Sequence, residues 1–530
     1  MSNFVFHRRK GQFSEGLKIL LCIFWLFFII LPLVKMLSTM TTVNLSAILS
    51  ARKFKKALLQ SLSASLSATL ISVGFAGLLS WCVARTNIRH KTVINTLLCI
   101  PMLVPSISHG MGLIIILGAN GWLARLIRLQ GGIYGFPGIV MGSVLYSFPV
   151  AYLMLYDVLQ YEDGIPYEAA ATMGMSLQDK FFAITLPYLK KPLISVFFAT
   201  FTMIITDYGV PLMIGGKYIT LPVMMYQDVI GMLDFGKGSV IGMILLTPAI
   251  VACALDIAGR EKGRSGYIGR PFYIKENPLR DRFAYIVVSL VILCIFLPIG
   301  SFAVLGFVKK YPIDTSFSLE NLKQAVHMGA WRYLKNSLVI ATFVSVLGSM
   351  LAVLNAYLVV RNKTKISYVL HLMSITSLAI PGIVLGLSYI MFFKGTLLYG
   401  TFAILVFVNS IHFFASPYLM IYNTFGKINE NLEDVGSTMG IRRSRIIFDI
   451  ILPQSRSTIL EMVSYFFVNC MMTISAVSFL ANVSNKPISL MIPQFEGQMQ
   501  MECAAFISLL ILLVNVVIKL GIYHVKRACR

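Results

Sequence analysis

The residues best placed to do chemistry in this 530-residue chain occur as two matching sets. The first reads Tyr167-Glu168-Ala169-Ala170-Ala171-Thr172-Met173-Gly174, then Ile184-Thr185-Leu186-Pro187. The second reads Leu432-Glu433-Asp434-Val435-Gly436-Ser437-Thr438-Met439-Gly440, then Ile450-Ile451-Leu452-Pro453. In both, the glycine precedes the isoleucine by ten positions and the proline by thirteen. An acidic residue opening a run of strong helix formers suits the positive end of a helix dipole. A following glycine closes such a helix in left-handed backbone at low cost. The stretch 176–184 is amphipathic and is expected to lie along a membrane surface, with Pro187 beginning the approach to an apolar helix. The chemistry on offer is a compact acidic knob that seats against a basic partner. No GxxxxGK[ST] phosphate loop occurs, and no HExxH, paired carboxylates or Ser/His/Asp set stands out.

Other reactive side chains are dispersed. The eight cysteines (Cys22, Cys82, Cys99, Cys253, Cys294, Cys470, Cys503, Cys529) lie mostly in apolar runs without CxxC spacing, so packing is expected ahead of disulfide or metal roles. His109, His371 and His412 also lie in apolar runs and read as hydrogen-bonded packing residues rather than ligands. Asp207 is different: a carboxylate within an apolar run faces water, a partner or a substrate, or else caps a helix end. No metal site and no bound cofactor are expected.

The elements that must position these residues are membrane helices. Hydrophobic side chains make up 57% of the chain and charged ones 13%, far more apolar surface than a soluble core hides. The net charge of +23 is spread through short segments between apolar runs, which reads as membrane topology and not as a nucleic-acid site. Apolar runs of roughly 20 residues, each long enough for about 30 Å of hydrocarbon, begin near Leu17, Ala57, Val93, Pro137, Pro192 and Ser239. A second series begins near Phe283, Asn336, Tyr368, Thr401, Thr458 and Glu502. The predicted fold is therefore an all-α polytopic membrane protein of about 12 transmembrane helices. Its expected parts are a cytoplasmic tail (1–16), a first six-helix half (17–258), a cytoplasmic linker (259–282), a second half (283–524) and a tail (525–530). The run from Leu17 is kept as a span because it is too long for a signal peptide. With both termini inside, cytoplasmic loops hold roughly 29 Lys and Arg against about 16 outside. The run Arg52-Lys53-Phe54-Lys55-Lys56 falls outside and opposes that bias.

Internal repetition supports the same plan. At an offset of 276, Ser61-Leu62, Arg85, Pro105 and Gly110 match Ser337-Leu338, Arg361, Pro381 and Gly386. At an offset of 266, 152–156, Thr172-Met173-Gly174 and Leu186-Pro187 match 418–422, Thr438-Met439-Gly440 and Leu452-Pro453. Ten residues are thus missing from the second copy between its third and fourth spans. Six spans separate equivalent positions, so the repeats are parallel, with a pseudo-twofold axis along the membrane normal and a natural path between the halves.

The paired loops resemble the EAA loop of binding-protein-dependent ABC importer permeases: EAA, three residues, Gly, nine residues, Ile-x-Leu-Pro. Glu168, Ala169, Ala170, Gly174, Leu186 and Pro187 fit that pattern completely. Gly440, Leu452 and Pro453 fit in the second loop, where Asp434 replaces the glutamate and Val435-Gly436 the alanines. The resemblance implies the type I importer permease fold in the inner or plasma membrane, with two copies of an ABC ATPase docking on these loops. It also implies an extracytoplasmic solute-binding protein, with ATP and magnesium held by the ATPase and none by this chain. The fused halves, with Asp207-Tyr208-Gly209-Val210-Pro211 and the segment Ser475 to Leu480, look like the ferric-iron, thiamine and 2-aminoethylphosphonate branch. Asp207, Tyr208, Ser475 and Ser478 are the implied substrate-path residues, and ferric iron the expected cargo. The other readings are an ion-coupled secondary transporter, whose major facilitator fold shares the parallel symmetry, and a membrane enzyme. Gly259 to Arg264 is similar to the basic loop signature of the major facilitator family, but it falls between the halves.

Overall fold

The structure is a computed structural model that describes residues 2–259, 270, 272, 274–429 and 431–528. In hydrocarbon every backbone N–H and C=O needs an internal partner, so the apolar runs fold as helices. The first half holds α1 (Ser2–Trp25), which continues through Leu26–Ile30 and Leu31–Ser38, then α2 (Arg52–Ala84), α3 (Lys91–Cys99) and α4 (Ser106–Leu117). It goes on with α5 (Phe136–Gln160), α6 (Ile165–Thr172), α7 (Leu186–Ile205) and α8 (Phe235–Gly259). The second half holds α9 (Pro278–Leu305), α10 (Ala330–Arg361), α11 (Lys365–Ile375), α12 (Gly382–Phe393) and α13 (Phe402–His412). It ends with α14 (Ala415–Lys427), α15 (Leu432–Thr438), α16 (Arg456–Met472) and α17 (Met501–Ala528). One small hairpin, Val308–Lys310 with Asp314–Phe317, pairs antiparallel with Val308 opposite Phe317.

The all-α polytopic architecture expected from the sequence is present, but its spans are not twelve uniform rods. Among the described residues nine helices are long and apolar enough to cross a membrane, and two bent pairs bring the number to eleven. The bent pairs are Lys365–Ala379 with Gly382–Phe393, at 108°, and Phe402–His412 with Ala415–Lys427, at 54°. The span expected near Thr458 is α16, whose 17 residues reach only about 25 Å at 1.5 Å per residue. Proline explains the repeated break in the third span of each half. Pro105 and Pro381 stand at matching positions with ψ of 143° and 141°, ending one helical segment and opening α4 or α12.

The two copies differ where the sequence offset changes: residues 118–135 join α4 to α5, whereas 394–401, shorter by ten, join α12 to α13. The basic run at Arg52 is the first turn of α2, whose 33 residues extend about 50 Å. It therefore lies at the opposite end of that helix from Arg85. Residues 2–16 begin α1 and 525–528 end α17. Of the linker expected at 259–282, residues 260–269, 271 and 273 lie outside the described residues, as does Cys529.

Each half lends its first helix to the other. α1 packs against α11, and the segment Leu31–Ser38 that continues it packs against α12. Trp25 lies 4.3 Å from the Phe414 ring, Phe28 stacks on Phe407 at 4.6 Å, and the Tyr389 hydroxyl donates to the Phe28 carbonyl at 2.9 Å. Reciprocally, α9 packs across α4 and beside α2. The approach at Gly112 on α4 is close: a Cβ there would sit 2.6 Å from the Pro298 carbonyl oxygen of α9. A backbone oxygen cannot swing aside as a side chain can. Gly112→Ala is expected to lower stability by roughly 1–3 kcal/mol by forcing α9 off α4, read as a drop in the unfolding midpoint of the purified chain.

Candidate functional site

The two loops singled out in the sequence fold alike. α6 carries Pro166 in its first turn, where the missing N–H leaves no bond unmade. Glu168 and Ala169 are exposed on it, while Ala170 is buried. The helix closes through Gly174 at φ +72°, with the Met175 N–H donating to the Ala170 carbonyl at 3.0 Å. That six-to-one bond is a Schellman closure, which needs left-handed backbone at the glycine. α15 ends the same way: Gly440 has φ +74°, and Ile441 N–H donates to the Gly436 carbonyl at 2.8 Å. Asp434 and Val435 are exposed at the places of Glu168 and Ala169.

Gly436, which breaks the alanine pattern, has a packing reason. A Cβ on it would meet Ile446 Cδ1 at 2.2 Å. Ile446 is buried where the first loop has the half-buried Lys180, and its inward-packed apolar side chain leaves room only for glycine.

The stretch 176–184 does not form a separate surface helix. Leu177–Lys180 passes through a π-helical turn, Phe181–Thr185, straight into α7, making one helix from Gln178 to Ile205. The second loop has the same π-turn at Ile447–Ile451, before Leu452 and Pro453. A π-turn absorbs the hydrogen bond that each proline cannot make, so Pro187 and Pro453 continue the helix instead of starting one. Leu186, Pro187 and Pro453 are exposed and Leu452 half-buried.

The sequence reading did not identify what holds the loops. Arg85, the residue capping the end of α2, forms an ion pair with Glu162 in which both side chains are buried, at 7% and 3% exposure. The Arg85 guanidinium lies 3.8 Å from the Phe272 ring centroid and 5.5 Å from that of Tyr167. Burial pushes its pKa down, and the neighbouring Tyr167 and Tyr188 oppose that shift. The Tyr167 hydroxyl donates to Glu162 Oε1 at 2.6 Å and lies 2.7 Å from Thr185 Oγ1. In the second half Arg361 meets Glu433 at 3.5 Å and donates to the Asn429 carbonyl at 2.8 Å. Arg443 donates to the Tyr357 hydroxyl at 2.6 Å and lies over its ring. Glu433 stands where the first loop has Tyr167, so the matching arginine is met by an acid five positions beyond the place of Glu162. The only sequence signal was the match of Arg85 to Arg361; the contacts join segments far apart in the chain.

Segments of the linker also belong to the first loop. Gly164 N–H donates to the Arg270 carbonyl at 2.8 Å, Arg270 N–H donates to Asp163 Oδ1 at 3.1 Å, and the Phe272 ring meets Tyr167 edge-on at 4.9 Å.

Two similar bundles carrying the same glycine-closed loop are a duplicated unit, and comparison with known sequences names it. The profile of the binding-protein-dependent transport system inner membrane component matches residues 74–256 and again residues 345–530. The chain belongs to this family. It is a fused transport component, two copies in one polypeptide. It is 23% identical over 448 residues to a ferric transport system permease protein of Actinobacillus pleuropneumoniae, covering 79% of this chain and 65% of that protein. A putative ferric transport system permease of Haemophilus influenzae is also 23% identical, with 79% and 70% covered. A thiamine transport system permease of Haemophilus influenzae is 25% identical over 381 residues, with 68% of each chain covered.

In this transport component the four residues expected along the path fall into two groups. Tyr208 and Ser478 meet across the halves, hydroxyl to hydroxyl at 2.9 Å, and Tyr208 stacks on Tyr226 at 5.0 Å. Asp207 and Ser475 are each engaged within their own half. Asp207 accepts from Ser106 Oγ at 2.6 Å and from the N–H groups of Gly209 and Val210, capping the helix Gly209–Ile214. Ser475 lies so close to Gly382 that a Cβ there would be 2.5 Å from its Oγ. Ser106 and Gly382 are 276 apart, Gly209 and Ser475 266 apart, so the two halves exchange the serine and the glycine across the same contact. His109 and His371 are hydrogen-bonded, to the Pro101 carbonyl and the Tyr418 hydroxyl.

Proposed function

We propose that the chain is the permease of an ATP-driven importer, passing a small solute, ferric iron, between its halves. The observation that carries this reading is the pair of protruding helices α6 and α15, closed by Gly174 and Gly440, with Glu168 and Asp434 presented to solvent at equivalent places. In this reading Glu168, Ala169, Ala170, Gly174, Leu186 and Pro187, with Asp434, Gly440, Leu452 and Pro453, couple the membrane helices to two copies of an ABC ATPase. The ATPase holds ATP and magnesium. Both loops and both termini lie on the cytoplasmic side, and an external solute-binding protein delivers the cargo at the far end. Tyr208 and Ser478 line the seam that must part, with Asp207 and Ser475 behind them. The ferric cargo rests on the names of two relatives, and thiamine is the competing cargo on the name of a third.

The test is uptake into proteoliposomes holding this chain, its ATPase and its binding protein. MgATP-dependent accumulation of labelled ferric iron is expected. Glu168→Arg, which places a cation against the basic face of the ATPase, should cut ATPase association by at least about tenfold. Uptake driven by an ion gradient without any ATPase would overturn the importer reading. Uptake of thiamine in place of iron would overturn only the cargo.

A further inference from the structure

The turns that hold the two loops also hold the first helix of the opposite half. Beyond Arg85, the Asn87 N–H donates to Asp281 Oδ1 at 3.2 Å and the Arg89 N–H to the Tyr285 hydroxyl at 2.7 Å. Asp281 and Tyr285 belong to α9 of the second half. Beyond Arg361, Asn362 Nδ2 donates to Ser14 Oγ at 2.7 Å. Lys18 Nζ donates to the Asn362 carbonyl at 2.9 Å and to Thr364 Oγ1 at 3.1 Å, and pairs with Glu15 at 2.7 Å. Ser14, Glu15 and Lys18 belong to α1 of the first half, and Lys18 is fully buried although it is a lysine. A buried, fully engaged ammonium is costly unless its partners stay in place.

The arrangement repeats. Glu15 and Asp281 are 266 residues apart, as are Leu31-Pro32 and Leu297-Pro298 on the same helices. Each loop is thus followed by the same chain of contacts: loop acid, arginine, the turn after it, and an acid-bearing first helix from the other half.

Building on the docking proposed above, we infer that each loop drives the first helix of the opposite half, through Asp281 and Tyr285 on one side and Lys18 with Glu15 on the other. Pull on α6 moves the Arg85 turn and with it α9; pull on α15 moves the Arg361 turn and with it α1. Because α9 packs on α4 and the continuation of α1 packs on α12, neither half can shift without carrying an element of its partner. The crossed connections make the opening of the seam concerted. Asp281, Tyr285 and Lys18 are positioning residues in this scheme and touch neither cargo nor ATPase.

The test uses the complete complex with spin labels on α9 and α1, each measured against its own half, before and after MgATP. In Asp281→Ala/Tyr285→Phe the ATPase should stay bound and hydrolysing, α9 should lose its ATP-dependent shift, α1 should keep its own, and uptake per ATP should fall about tenfold. Lys18→Met should give the mirror result, with α1 stilled and α9 moving. An α9 shift unchanged in the first variant, with the ATPase bound, would overturn the crossed coupling alone. An ATPase that does not bind the unaltered chain would instead overturn the docking on which it rests.

Discussion

Arg85→Ala should be among the most damaging single changes outside the apolar core, lowering stability by roughly 3–5 kcal/mol. Its partner Glu162 is 3% exposed and would be left as a buried charge with its neutralising cation gone. The Phe272 ring would lose the guanidinium it covers at 3.8 Å, and Tyr167 would lose a neighbour on its face. The chain around α6 would then be free of α2, and the first loop should lose its ATPase while the second keeps its own. Unfolding of the purified chain reads the first effect; the stoichiometry of copurified ATPase reads the second. Pairing Arg85→Met with Glu162→Leu should recover most of the lost stability, since removing both charges avoids the orphan. A single variant as stable as the unaltered chain would show that the pair is hydrated and not buried. The matching Arg361→Ala should cost less, because Glu433 is 12% exposed and can turn toward water.

Gly174→Val is expected to separate hydrolysis from uptake. The position has φ +72° and open space around a would-be Cβ, so the obstacle is backbone conformation and not a clash. Left-handed backbone costs an ordinary L-residue roughly 1–2 kcal/mol and a β-branched one more. The turn would relax toward right-handed geometry, breaking the bond from Met175 to Ala170 and swinging the π-turn that leads into α7. Uptake per ATP should fall tenfold or more with the ATPase still active. Gly174→Asn, which tolerates this conformation, should retain most of the coupling. Equal loss in the asparagine and valine variants would point to side-chain bulk against the ATPase instead. Gly440, at φ +74° with open space, should behave in the same way.

How legible these features were in the sequence depends on the range over which each is encoded. The helix-closing glycines, the acid in the first turn and the span-breaking prolines act within a few residues, so spacing alone revealed them. Even there the sequence misled at Pro187: a proline after an amphipathic stretch reads as a helix start, whereas a π-turn lets the helix run through it. Gly436 looked like a degraded motif and is a fitted contact with Ile446. Asp207 read equally as cap or path residue, and the fold adds that it accepts from Ser106, Gly209 and Val210 at the start of the helix Gly209–Ile214.

The sequence by itself determined that this is a membrane protein of two parallel halves, each with an exposed, glycine-closed acidic helix, because hydropathy, backbone preference and repetition are local or self-referring properties. Only the tertiary structure decided which segments meet: Arg85 with Glu162 and Phe272, Arg361 with Glu433, and the first helix of each half with the arginine turn of the other. Those contacts join residues from about 70 to about 350 positions apart through buried charge and close backbone approach. A charge in a sequence has no visible partner until the chain is folded around it.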